Sequence, residues 1–187
     1  MSKVTEINPK KSEIKNLKNI LVSFIPMSDL PMTTYGFTPK ETKMIEDVQG
    51  SYTYFKNDDV LLAKVTPCFE NGKLGIAQNL VNGIGFGSSE IIVVRPSKSI
   101  LSKYIYYFFV QNSFKNVAKN LMTGTGGLKR LPANLISDLK IPVPPIEIQN
   151  QIIEKFESQQ NSINANHQLV ETFQNQIKNI VSKVFEA

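Results

Sequence analysis

"KIPVPPIEIQNQIIEKFE", residues 140 to 157, changes character halfway through. It opens with prolines at 142, 144 and 145, and none recurs between Ile146 and Ala187. Proline fixes φ, lacks an N–H and restricts the residue before it. The cluster is therefore expected to end a preceding strand and to stop regular structure from running through. The chain beyond the prolines has a seven-residue period. Stepping by seven from Phe156 gives Ile163, Val170, Ile177 and Val184, all apolar, and three residues before each lie Ile153, Gln160, His167, Gln174 and Val181. An apolar seam at this period lets a helix pack along a partner helix, while polar layers fix register at some cost in stability. From 147 to 186 such a helix is about 60 Å long at 1.5 Å per residue, more than a small globular domain can bury. The spacing predicts a globular region over 1–145 and a long dimerising helix over 146–187, joined by a rigid elbow. A helix folded back on its own domain is the competing arrangement.

Upstream, the pattern is that of an α+β domain. The first twenty residues are lysine-rich and weakly patterned and read as an arm, with "VSFIPM" (22–27) as the first strand. Residues 28–50 carry mixed Pro, Gly and Thr punctuation, the mark of loops with short elements. "DVLLAKVT" (59–66) and "EIIVVRP" (90–96) are β-branched runs bounded by turn residues, as strands are. Between them stand two Asn-Gly pairs, 71–72 and 82–83, which suit hairpin turns because both residues tolerate positive φ. From 99 to 121 the apolar residues take helical spacing with a break near Asn112. A glycine-rich loop, "MTGTGGLKRLP" (122–132), ends that segment.

Composition narrows the function classes. A 41% hydrophobic, 20% charged chain of 187 residues has the apolar mass for one core-bearing domain. No run approaches the ~20 apolar residues that span a bilayer, and the N-terminus lacks the apolar centre of a secretory signal. Cys68 is the only cysteine, so no internal disulfide forms, and a cytoplasmic location is expected. With one Cys and one His a zinc signature is impossible. His167, on the seam, reads as a polar layer. A net charge of +5 permits a polyanionic partner without requiring one.

Nucleotide-binding motifs fail on spacing. In "GIGFGS" the third glycine of a dinucleotide fingerprint falls at Ser88, and the stretch precedes a strand instead of coming after one. "GTGGLKR" lacks the phosphate-loop spacing and the Ser or Thr after its lysine. No Asn-Pro-Pro-aromatic motif for amino methylation occurs, so catalysis by this chain alone is not expected. Binding remains. Lys129 and Arg130 come after glycines whose backbone amides, with Thr123 and Thr125, can approach phosphate oxygens, and Lys73 sits beside the Asn71-Gly72 turn. The plainer alternative is that Gly126 and Gly127 only terminate a helix and the two cations are solvated.

Five motifs in one order, "VSFIPM", "VLLAKVTPCFENGK", "NGIGFGSSEIIVVRP", "MTGTGGLKRLP" and "IPVPPIEIQNQII", resemble the specificity (S) subunit of type I restriction-modification systems from about Val22 onward. The resemblance implies a target recognition domain that reads part of a split duplex DNA sequence, with a spacer helix after a "PLPP"-type motif. It implies a non-catalytic chain without cofactors, directing modification and restriction subunits that carry S-adenosylmethionine, ATP and magnesium. A full S subunit has two recognition domains and two helices, whereas this chain has room for one of each. A half-subunit is expected, pairing with a second copy or a second specificity half; the Met1 start and helical end favour this over a fragment. Two antiparallel helices would hold two such domains apart, so that identical copies read inverted repeats. Motifs shared by relatives with different targets cannot discriminate between sites. Lys73, Thr123, Thr125, Lys129 and Arg130 are thus expected to hold phosphates, and base readout is assigned to residues 33–43, with Tyr35, Thr38, Lys40 and Lys43 as candidates. The rival function is a coiled-coil adaptor that recruits a protein partner and binds no DNA.

Overall fold

The computed structural model describes residues 1–185 except Thr33 and Ala133, with the side chains of Lys183 and Val184 also outside the description. Two compact units divide the chain, Met1–Gln149 and Asn150–Ala187.

Two mixed sheets build the first unit. The strands are β1 (Thr5–Ile7), β2 (Leu21–Ile25), β3 (Gly36–Phe37), β4 (Glu41–Met44), β5 (Thr53–Lys56), β6 (Val60–Ala63), β7 (Leu74–Ala77), β8 (Ile84–Gly87) and β9 (Ile91–Pro96). One sheet runs β1-β9-β6-β7-β3 and the other β4-β2-β8-β5. Among the described residues only β2/β8 and β3/β7 pair parallel; the other neighbours are antiparallel. A short helical turn, α1 (Ile45–Val48), comes directly after β4. Helices α2 (Ser102–Val110) and α3 (Asn112–Leu121) meet at Gln111, whose extended backbone makes the expected break.

Strand periodicity explains the layering. Successive side chains point to opposite faces. From β6 and β9, Val60, Leu62, Ile92 and Val94 join Ile105, Tyr106, Phe109, Phe114 and Ala118 of the helices in one core. The alternate residues, Leu61, Ala63, Ile91 and Val93, meet Ile25 and Phe55 of the second sheet in another. The far face of that sheet packs Val22, Phe24, Tyr54 and Phe86 against Ile14, Ile45 and Val48. Strands covered on both faces read as unbroken apolar runs, which is why "VLLA" and "IIVV" stand out. Gly85 lies where the sheets approach: a Cβ there would overlap the Phe55 ring. Gly85 and Gly87 of "GIGFG" thus serve sheet packing, while Gly83 takes a positive φ of 69°.

Four expectations need correction. The N-terminal twenty residues are no loose arm. β1 pairs with β9, a 3₁₀ turn covers Lys11–Ile14, and Ile14 is buried, so the first strand precedes "VSFIPM". The Asn-Gly pairs make no two-residue hairpins. Residues 64–73 form a long connection between β6 and β7, and Asn82-Gly83 joins strands of different sheets. The glycine-rich loop is itself a hairpin, β10 (Thr123–Thr125) and β11 (Leu128–Arg130). The prolines come after a helical turn, α4 (Leu135–Asp138), and irregular backbone, with no strand directly before them. Sequence periodicity missed these because short elements carry too few residues to show a period.

Helix α5 (Ile146–Phe185) is continuous for 40 residues, about 60 Å. Among the described residues no helix is long and apolar enough to cross a membrane.

Candidate functional site

The Gly-rich hairpin is the centre of the nominated cations. Gly126 and Gly127 have φ of 61° and 81°, the left-handed pair that a tight two-residue turn between twisted strands requires. Thr125 faces Leu128 and Thr123 faces Arg130 across it, and every residue from 123 to 130 is exposed. A ribbon this short with no buried face cannot hold itself together. Thr66 holds it. Thr66 Oγ1 donates to the Gly127 carbonyl at 2.8 Å and accepts from the Lys129 N–H at 2.9 Å. The Thr66 N–H donates to the Lys129 carbonyl at 3.0 Å, and Val65 forms a β-bridge with Arg130. The "TPCFENGK" connection and the hairpin, some sixty residues apart in sequence, thus form one surface bearing Lys64, Thr123, Thr125, Lys129 and Arg130.

The cations on this surface are not equivalent. Arg130 forks onto Glu90: Nε donates to Oε2 at 3.0 Å and Nη2 to Oε1 at 2.9 Å. That bond holds the Glu90 carboxyl below the usual carboxylate range and raises Arg130 further. Lys129 presents its side chain to solvent from the same strand. Lys73 is placed otherwise. Its ammonium donates to the carbonyls of Met27, Ser28 and Leu30 at 2.7, 2.6 and 3.2 Å. An ammonium has three N–H groups, and all three are occupied in pinning residues 27–30.

Residues 33–43 do not form one patch. Thr33 lies outside the described residues. Tyr35, half-buried, packs edge-on to Tyr106 and lies beneath the Lys103 ammonium. Thr38 is exposed, and its hydroxyl accepts from Asn79 Nδ2 at 3.2 Å. Lys40 is exposed. Lys43, on β4 in the other sheet, places its ammonium 3.7 Å from the Phe24 ring centre, and lines a shallow concavity with Tyr52, Ser51, Ser88 and Ser89. The structure does not bring Lys43 together with Tyr35 and Thr38.

Two networks escaped sequence reasoning. Arg95 bridges buried Asp59 and Glu13, and Glu13 also accepts from Lys56 and the Tyr54 hydroxyl. The Lys56 bond, with help from Tyr54 and Arg95, holds Glu13 down at about 2. Asp59 is raised by burial, and Arg95 opposes that rise. At the start of α5, fully buried Gln149 accepts from the Leu101 N–H at 2.9 Å and donates to the carbonyls of Ser99 and Pro144 at 2.9 and 2.8 Å. All three bonds run within the first unit, so the first turn of α5 is fastened there. Partners this far apart in sequence leave no local signal; an unpaired-looking Glu or Gln beside an apolar run is the only hint.

Along α5, Phe156, Ile163, Val170 and Ile177 are exposed, the last 60% so; the Val184 side chain lies outside the described residues. His167 is exposed as well. Phe173 and Ile180, three residues after Val170 and Ile177, are also exposed and widen the seam in its C-terminal half. Among the described residues no cluster of three or more His, Cys, Asp or Glu side chains could hold a metal.

Known proteins are similar to this chain in sequence and in fold. The chain is 37% identical over 184 residues to the EcoAI specificity subunit of a type I restriction enzyme from Escherichia coli, covering 92% of this chain and 31% of that one. It is 35% identical, with the same coverage, to the EcoEI specificity subunit from the same species. It therefore spans about a third of these relatives' length. Among solved structures the fold matches the HsdS subunit from Thermoanaerobacter tengcongensis with a TM-score of 0.53 at 16% identity, over 88% of this chain and 37% of that one. A chain from a study of type I R-M system assembly matches with a TM-score of 0.58, also at 16% identity, over 87% and 37%. The family model described as "Type I restriction modification DNA specificity domain" matches residues 2–179, both the sheet-bearing unit and the helix, and the chain belongs to that family.

Proposed function

We propose that this chain recognises a specific duplex DNA sequence as a non-catalytic specificity subunit, or half of one, of a type I restriction-modification complex. The observation that carries this reading is the family match over residues 2–179. The hairpin surface with Lys64 and Lys129 supplies positive charge for a phosphate backbone, with Thr123 and Thr125 as neutral donors beside it. The exposed apolar edge of α5 pairs with a helix of a second copy or a second specificity half. The modification and restriction subunits join this assembly and bring S-adenosylmethionine, ATP and magnesium, and the chain itself works without a cofactor. Its setting is the bacterial cytoplasm.

A gel shift of the purified chain against a random duplex pool at low salt tests the reading. Retention that falls steeply with salt is the expected result, because phosphate contacts release counterions. No retention at micromolar protein would leave the protein-recruiting adaptor in its place. An S-adenosylmethionine binding assay on the same sample should show none.

A further inference from the structure

The pairing of Arg130 with Glu90 deepens the reading above and rests on it. A guanidinium carries five N–H donors in a fixed plane. Nε and one Nη2 hydrogen of Arg130 are given to the two Glu90 oxygens. The opposite edge, Nη1 with the second Nη2 hydrogen, has no partner among the described residues, and the side chain is 47% exposed. Both ends of the pair are fixed through the backbone. The Lys64 N–H donates to the Glu90 carbonyl at 2.9 Å, and the Leu131 N–H donates to the Lys64 carbonyl at 2.8 Å. The Val65–Arg130 bridge lies beside these two bonds. The free fork is therefore aimed before any ligand arrives.

Charge then decides which ligand suits it. With Glu90 attached, the pair is close to neutral, and an approaching phosphodiester would meet a carboxylate beside its target. A neutral partner offering two acceptors at fork spacing meets no such penalty. In a duplex that partner is guanine, whose O6 and N7 face the major groove and match a two-pronged arginine contact. We propose that Arg130 reads a guanine in the major groove, with Glu90 as the positioning residue that sets its plane and cancels its attraction for phosphate. This departs from the phosphate role expected for Arg130 from the sequence. Lys129, with no carboxylate partner among the described residues, keeps that role.

Duplexes selected from a random library by the full chain, and by its Arg130→Lys and Glu90→Gln variants, test this. A guanine invariant in the first selection should become degenerate in both variants. Titration of the selected site should show a loss of about 10- to 100-fold for Arg130→Lys, with the salt dependence unchanged. Replacing that guanine by 7-deazaguanine removes N7, so it should weaken the unaltered chain and add nothing to Arg130→Lys. This arm needs no variant to fold. Selections that stay identical would overturn the proposal, as would a loss equal for all sequences with a shallower salt dependence, which would make Arg130 a phosphate contact. If the unaltered chain selects no duplex, the proposed function itself fails, an outcome distinct from the other two.

Discussion

Arg95 grips the carboxylate of Asp59 with two parallel bonds, Nε to Oδ1 at 2.9 Å and Nη2 to Oδ2 at 2.8 Å, at a site where Asp59 is 1% exposed. Removing one partner of a buried pair strands the other charge. Arg95→Met should therefore lower stability by about 3–5 kcal/mol at pH 7 in urea denaturation. Its deficit should shrink as the solution is acidified. Burial already raises the Asp59 pKa, and without the arginine the stranded acid escapes its penalty by taking up a proton.

Glu13 titrates in the opposite sense. Its folded-state pKa, about 2, lies below the ordinary value of 4.5, so its contribution is complete above about pH 4.5 and fades as pH falls toward 2. The side chain is 38% exposed, and solvent screening reduces the effect to about 1 kcal/mol. Thermal melts of Glu13→Gln should lie below those of the unaltered chain at pH 7 and converge with them near pH 2. A constant gap across that range would remove Glu13 from the network's acid response.

Lys73 and Lys129 should part company in a salt titration. Lys129→Ala is expected to weaken binding to every duplex alike and to reduce the slope of log K against log salt by about 1. Lys73→Met should leave that slope alone and destabilise the fold by about 1–3 kcal/mol, since three carbonyls lose a charged donor. A reduced slope for Lys73→Met would return it to the phosphate surface.

Gln149→Leu keeps the side-chain volume but leaves the Leu101 N–H and the Ser99 and Pro144 carbonyls without their partner. A loss of about 2–3 kcal/mol is expected in denaturant melts, large for a single residue one turn into a helix.

Paired substitution Ile163→Glu with Val170→Glu places two charges on the exposed edge of α5. Light scattering should report monomers if that edge joins two chains. A dimer that survives would locate the assembly interface elsewhere.

What could be read from the sequence depended on repetition. The seven-residue period over some forty residues, and unbroken runs such as those in β6 and β9, state their structure many times over. The two-glycine turn of the hairpin, β1 and the Lys11–Ile14 turn each state theirs once, so glycine flexibility or a lysine-rich arm was the reading available. The candidate site was visible as a set of cations. Their roles were not, because role depends on the carboxylate or carbonyl that meets each one: Glu90 for Arg130, and the residue 27–30 carbonyls for Lys73. Those partners lie some forty residues away in sequence.

The attachment of the hairpin through Thr66 has an evolutionary corollary. No residue between 123 and 130 contributes to any of the three apolar cores, and the ribbon is tethered by bonds that use mostly main-chain atoms. Its exposed side chains can therefore be exchanged wholesale, by drift or by grafting from a relative, without disturbing what keeps the sheets together. Substitution at this tip can therefore accumulate while the architecture stays intact.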